Sequence, residues 1–299
     1  MEATEIATFD WDLWSTHARI CVTDSTALTP ARAIADQLLL EVEEATSRFR
    51  ADSEVSMLPV GWSAISPTLA QLIAASLTAA AQSDGAVDPT VGHAMRAIGY
   101  DRDINDISEV TTSSPVAGAT VPGWRSLALD GNRFFRPANV EIDLGATAKA
   151  VAADWCASAI ASQCDTGVLV SLGGDIATAG PPPEDGWQVM VQDSAEDIAC
   201  QVGLAPGAAI ATSSTVRRTW GPGLHHIVDP ATGLPADPAW RSASVVAPTC
   251  AEANTISTGA LVKGLSACDW IVSLGRPARL VARYGQVVLL NGWPEVDAA

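Results

Sequence analysis

The chain has 299 residues, of which 48% are hydrophobic and 17% charged, enough apolar material for a large core and too much for a disordered segment. Its 17 basic residues against 34 acidic ones give a net charge of −17, which argues against nucleic acid or an anionic membrane as the main partner. An anionic ligand would need local cations or a metal, and Arg48, Arg50, Lys149, Arg217 and Arg218 are the side chains available. No run approaches the ~18 apolar residues of a membrane span, and MEATEIATFDWDLW lacks the basic start and apolar run of a secretory signal. Six scattered cysteines with no CxxC pair read as reduced thiols. The expectation is a soluble, cytoplasmic protein that does not insert into membranes.

In chain order, residues 18–22 read as a strand. Thr29 and Pro30 suit the cap and first position of a helix, with Ile34, Leu38, Val42 and Phe49 as its apolar stripe. Ser66-Pro67 repeats that signal for a helix to Ser83, which Gly85 is placed to end. Residues 103–123, rich in Ser, Thr, Pro and Gly, read as a surface excursion. Asp130-Gly131-Asn132 suits a hairpin turn. A helix is expected over 146–162, then a strand at Val168–Leu172 covered on both faces. Strands at 187–191, 208–211 and 242–246, helices at 249–263 and 267–274, and a hairpin of 280–284 with 287–290 through Gly285 complete the pattern. Residues 181–186 (PPPEDG) form a linker-like break, and there is no internal repeat. This mixed order predicts an α+β or α/β layered fold with two lobes about a cleft.

Five segments carry residue types suited to chemistry. In VSLGGD (170–175) Gly173 and Gly174 follow a buried strand; they form either a tight turn in which Asp175 bonds its own backbone, or a point of close approach to a ligand. In IDLGATAK (142–149) Gly145 turns the chain after Asp143. Lys149 then opposes the dipole of the helix it opens, a cost that a bound anion would offset; a solvated lysine fits equally well. AVDPTVG (86–92) places Asp88 before Pro89, which restricts it to extended backbone, as in a plain helix exit. His225 and His226, as strand neighbours, face opposite ways; one is satisfied locally and the other is free to act as a general base. Asn254 and Thr258 lie one helical turn apart and present two oxygens on one face, as a hard cation requires.

The order and spacing of these segments resemble the ApbE family of flavin transferases over nearly the whole chain. SRFRADSEVS (47–56) is similar to the family's Ser-x-Tyr/Phe-x-x-Asp-Ser-x-x-Ser element, AVDPTVG to F-D-P-T-V-G, and IDLGATAK to D-L-G-x-x-A-K; VSLGGD, ATSST and HHIVDPATG follow in order. The resemblance implies a single ApbE-like α+β domain over residues 1–299. It also implies an enzyme that takes FAD as substrate and, assisted by Mg2+, transfers FMN to a hydroxyl in a Ser/Thr-Gly-Ala-Ser/Thr-type motif of an acceptor protein, releasing AMP. By the same resemblance Phe49, Ala86, Val87, Asp88, Asp143, Lys149, Gly173, Gly174, Asp175 and Ile227 hold the flavin nucleotide. The carbonyl of Ala146 with Asn254 and Thr258 holds the metal, and His226 is the base. The family's usual aspartate is Asn254 here, its Met-Gly-Thr is Trp14-Ser15-Thr16, and Pro59 stands near a usual Asn. The neutral Asn254 keeps two other readings open: an FAD pyrophosphatase releasing FMN and AMP, and a flavin-binding protein without turnover.

Overall fold

A computed structural model of the protein describes residues 6–108, 118–193, 197, 199–237 and 239–294, so part of the expected 103–123 excursion lies outside the described residues. The chain opens with a hairpin of β1 (Ala7–Leu13) and β2 (Thr16–Val22), turned by Trp14 and Ser15 at φ 50° and 56°. Both turn residues in the left-handed region mark the tight turn whose twist suits paired strands. α1 (Leu28–Thr46) starts ahead of the expected cap. Asp24 caps a preceding 3-10 turn by accepting from the Thr26 N–H at 2.9 Å, and that turn runs directly into the helix. Pro30 therefore falls inside the first turn, where its missing donor costs nothing. The buried face of α1 is Ala31, Ala35, Leu39, Val42 and Ala45, one step round from the expected stripe. These small side chains let the helix lie close against its neighbour, while Ile34 and Leu38 pack at the margin.

After α2 (Glu54–Met57) and β3 (Gly61–Ala64) comes α3 (Pro67–Gln82), capped by Ser66 and ended near Gly85 at φ +82° as expected. α4 (Gly92–Ala97) is short, and β4 (Ala128–Asp130) joins β5 (Arg133–Arg136) through Gly131 in the anticipated hairpin. α5 (Ala148–Cys164) begins two residues later than expected. It is followed by a hairpin of β6 (Val168–Leu172) and β7 (Asp175–Ala179), then β8 (Trp187–Val191), β9 (Cys200–Leu204) and β10 (Ala209–Ser214). Four short strands come next: β11 (Thr219–Gly221), β12 (Leu224–His225), β13 (Val228–Asp229) and β14 (Leu234–Pro235). β15 (Trp240–Ala247), α6 (Cys250–Lys263), α7 (Ala267–Leu274), β16 (Ala278–Ala282) and β17 (Val287–Leu290) complete the chain.

The centre is an eight-stranded sheet in the order β1-β2-β6-β7-β10-β15-β16-β17, antiparallel at every pairing. This confirms the α+β class. Strand β6 is buried on both faces as expected: α1, α3 and α5 cover one side, and the β8–β9 hairpin covers the other. Among the described residues no helix is long and apolar enough to cross a membrane, and all six cysteines are free thiols.

Helices α5 and α6 are buried nearly all round. Such a helix normally reads as continuously apolar. α6 instead carries Asn254, Ser257 and Thr258 in its buried middle, so those polar groups need partners or a ligand. Its position is fixed from α5: the Asp154 carboxylate accepts from the Cys250 and Ala251 N–H groups at 2.8 and 3.0 Å, and Thr249 adds its own cap to Glu252. A carboxylate at a helix N-terminus satisfies orphan donors and the dipole together. Gly259 is needed where Trp270 crosses α6, because a Cβ there would lie 2.9 Å from the indole.

Candidate functional site

The site forms where the start of α5, the β6–β7 turn, the middle of α6 and the β11–β12 hairpin converge. The β6–β7 turn is made by Gly173 and Gly174 at φ +65° and +103°. A Cβ on Gly173 would stand 2.2 Å from the Thr16 hydroxyl of the β1–β2 hairpin, so only glycine lets the two turns meet. Asp175 opens β7 directly after this turn, 4% exposed. It does not bond its own turn; its carboxylate accepts from Asn254 Nδ2 at 3.1 Å. Asn254 Oδ1 faces away, buried and without a partner. One helical turn on, the Thr258 hydroxyl shares a 2.8 Å hydrogen bond with Ser213 of β10. Gly145 and Ala146 are exposed just ahead of α5.

Lys149 and Arg218 bring positive charge to the same place. The Lys149 ammonium has one long contact, to the Gly145 carbonyl at 3.4 Å. Burial, and then the field of Arg218, lower its pKa, while Asp175 and Asp143 act in the opposite sense. Arg218 donates to the Trp14 carbonyl at 3.2 Å and makes no ion pair among the described residues. Asp175 has its pKa raised by burial, against the pull of Lys149, the Asn254 hydrogen bond and Arg218. Two cations with so few acceptors, in a chain of net charge −17, make an anion site.

The histidine pair divides into one satisfied ring and one open one, although β12 ends at His225 and His226 lies in the bend that follows. His225 is 4% exposed and fully used: Nδ1 accepts from the Ile227 N–H at 3.3 Å and Nε2 donates to the Ala236 carbonyl at 3.1 Å, which fixes the neutral tautomer. His226 has a buried Nδ1 with no partner. Burial, followed by the fields of Arg218 and Lys149, pushes its pKa down to about 3, against a backbone hydrogen bond with Arg218. The ring is therefore neutral and able to accept a proton at pH 7.

A second group of residues forms an aromatic wall. Asp143, 7% exposed, accepts from the Gly145 N–H at 2.7 Å and lies 2.8 Å from the guanidinium of Arg48. Arg48 also donates to the Tyr100 carbonyl and lies over the rings of Phe49 and Tyr100 at 4.3 and 4.6 Å. Tyr100 stacks on Trp220 with centroids 5.1 Å apart and planes 13° apart, and Phe49 meets Tyr100 edge-on. Phe49 is 41% exposed, an open apolar face suited to a flat ring.

Other expected positions have a different character. Asp88 is a turn staple: it accepts from the N–H and hydroxyl of Thr90 at 2.8 and 2.6 Å and from the Trp124 N–H at 2.9 Å. Val87 is buried, with its N–H on the Ser83 hydroxyl, and Ala86 precedes it half-buried. Ile227 belongs to the core around α6 and α7. Of the candidate cations, Arg50 pairs with Asp52 at the surface and Arg217 donates to the Asp193 carbonyl. Sequence reasoning did not find the Arg48–Asp143 pair or the Tyr100–Trp220 stack. Their members lie 95 and 120 residues apart, and no local spacing links them.

The side-chain oxygens that would take a hard cation are Asn254 Oδ1 and the Thr258 hydroxyl, with the Asp175 carboxylate against the amide nitrogen. No group of three or more His, Cys, Asp or Glu stands together as a metal site among the described residues. Even so, a buried amide oxygen with no donor is what a cation would satisfy, and the oxygen chemistry fits Mg2+.

Comparison with known proteins gives the family and the fold. The ApbE family model matches residues 14–280. The FAD:protein FMN transferase of Vibrio cholerae is 29% identical over 241 residues, covering 77% of this chain and 72% of its own. The fold is that of the Pseudomonas stutzeri flavinyl transferase ApbE in its apo form, with TM-score 0.81 at 19% identity and 97% of both chains covered. The ApbE protein of Thermotoga maritima superposes with TM-score 0.77 at 25% identity, over 96% of this chain and 97% of that one. The chain belongs to the ApbE family.

Proposed function

We propose that this chain transfers FMN from FAD to a Ser or Thr hydroxyl of an acceptor protein, with Mg2+ at the pyrophosphate and AMP as the leaving group. Flavin transfer to a protein is the activity that its relatives are named for. The observation that carries the reading to this chain is the convergence of His226, neutral with a free Nδ1, and the cations Lys149 and Arg218, both short of acceptors.

The reaction is displacement at phosphorus, in which positioning, charge neutralisation and removal of the hydroxyl proton lower the barrier. Lys149 and Arg218 hold the pyrophosphate oxygens. His226, neutral at pH 7, takes the acceptor proton at its free Nδ1. A pKa near 3 describes a weak base, and its depression comes partly from Arg218 and Lys149. A bound pyrophosphate cancels that field, so the substrate itself raises the basicity of His226. Asn254, Thr258 and the Ala146 carbonyl would hold Mg2+, which when bound supplies charge stabilisation to the pyrophosphate. Phe49, edge-on to Tyr100, takes an aromatic ring of FAD. Asp143 with Arg48, the Gly173-Gly174 turn with Asp175, and residues 86–88 and Ile227 behind them shape the rest of the nucleotide cleft. The chain acts as one unit in this reading, and its buried thiols Cys156 and Cys250 suit a reducing compartment, the cytoplasm.

The test is His226→Ala. Transfer should disappear while FAD still binds, because a base is needed only in the chemical step. Loss of FAD binding in that variant would make His226 a binding residue instead.

A further inference from the structure

We infer that Asp175 supplies the negative charge of the cation site, the charge that Asn254 leaves out. The inference rests on the cation-assisted reading above and assigns the charge to a carboxylate hydrogen-bonded to the amide whose oxygen would meet the cation.

Four observations carry it. Asn254 Nδ2 donates to Asp175 Oδ1 at 3.1 Å, so carboxylate and amide are in direct contact. That contact fixes the orientation of the amide, since the opposite flip would set its oxygen against the carboxylate. Asn254 Oδ1 is thereby turned away, 7% exposed and unpartnered. Thr258, also 7% exposed, places a hydroxyl one turn further along the same helix face. The result is one charged and two neutral oxygen groups at the junction of β7, α6 and β10.

The electrostatics point the same way. Asp175 has one hydrogen-bond donor, Asn254, and no ion pair within contact distance among the described residues. A buried carboxylate with a single neutral donor is costly, and a divalent cation held by Asn254 Oδ1 and Thr258 would offset that cost through the amide that Asp175 orients. Asp175 is thus more than a counter-charge to Lys149: its contact to the metal-facing helix is direct, whereas Lys149 reaches it only through its field.

The experiment relocates the charge. Mn2+ alone is titrated into the full chain and free Mn2+ is followed by electron paramagnetic resonance, for the native protein, Asp175→Asn, Asn254→Asp and the double variant Asp175→Asn/Asn254→Asp. Asp175→Asn should weaken binding about tenfold or more, as loss of a charged group that orients a ligand does. Asn254→Asp should tighten it, and the double variant should recover most of the loss because the charge has only moved by one hydrogen bond. Circular dichroism melting identifies any variant whose loss is a folding defect, and the double variant, with native net charge, then decides. Native Mn2+ affinity in Asp175→Asn overturns the inference, and so does a folded double variant that does not recover, or a native chain that binds no Mn2+. The titration contains neither FAD nor acceptor, so absence of flavin transfer in a chain whose metal site behaves as expected would strike the proposed function alone.

Discussion

Two polar clusters of this molecule contrast sharply. Around Arg241, the Asp193 carboxylate lies 2.6 Å from the guanidinium, Asp197 takes its other edge at 2.5 Å, and Ser214 donates to Asp193 while Arg217 caps its carbonyl. Around Asp175, the carboxylate has one neutral donor, Lys149 has one long carbonyl contact, Arg218 has a single carbonyl, and Asn254 Oδ1 and His226 Nδ1 have none. Both clusters join distant segments of one protein, and only one is internally satisfied. A fold that can satisfy its buried polar groups around Arg241 leaves those around Asp175 unsatisfied, and in the proposed function substrate and cation complete them.

The contrast predicts opposite phenotypes for the two clusters. His226→Ala should lower the transfer rate by about 10²–10⁴-fold, the range for loss of a positioned base, with its melting temperature unchanged. Stopped-flow or single-turnover mass spectrometry would show this, and a stability loss without a rate loss would move His226 into the structural class. Arg241→Leu should do the reverse. Leaving Asp193, 3% exposed in its side chain, without its cation should cost roughly 2–4 kcal/mol in denaturant unfolding, with FAD affinity intact. Next in size is Lys149→Met, which should weaken FAD binding roughly 10–100-fold, the worth of a charged hydrogen bond of about 1.5–3 kcal/mol. Stability should hold or rise, since a poorly partnered, half-buried cation is removed; a large destabilisation would mean that Lys149 is already satisfied in the free protein.

A weaker effect is expected on pH dependence. The pKa of His226 is about 3 when folded against 6.5 for the ordinary group, so between those values the unfolded chain binds the extra proton. Its contribution is therefore complete above pH 6.5 and is lost as the pH falls toward 3. His225, lowered mainly by burial, acts in the same direction. Native protein should lose about 2 kcal/mol more than His226→Ala between pH 7 and pH 5. Equal slopes in the two proteins would show that His226 is not desolvated.

How much of this was legible in the sequence depended on how local each signal was. Ser66-Pro67, Asp130-Gly131-Asn132 and the apolar run of β6 act within a few residues and fell where expected. The start of α1 did not, because Asp24 extends the helix backward through a 3-10 turn, and its buried stripe shifted because alanines, not the larger Ile34 and Leu38, face α5. Strands β1, β3, β7, β9, β11, β13 and β14 escaped notice; β1, at the edge of the large sheet, has no fully buried position and exposes Phe9, so no apolar face marks it. In the site, Asn254 and Thr258 were visible as a spacing within one helix, whereas the adjacent histidines left the base undecided until the family resemblance singled out His226. Asp175 was visible as a residue but not as the partner of Asn254, which lies 79 positions away. Asp88 shows the converse: its motif was legible, and the structure gives its carboxylate three protein donors, two from Thr90 and one from the Trp124 N–H.

Flavin transfer itself is read by incubating the protein with FAD, Mg2+ and an acceptor domain carrying a Ser/Thr-Gly-Ala-Thr segment, then measuring the intact mass of the acceptor. The expected result is a mass increase equal to the FMN moiety, dependent on Mg2+ and absent with His226→Ala. An unmodified acceptor beside FAD cleaved to FMN and AMP, or beside FAD that stays bound and intact, would contradict the proposed transfer.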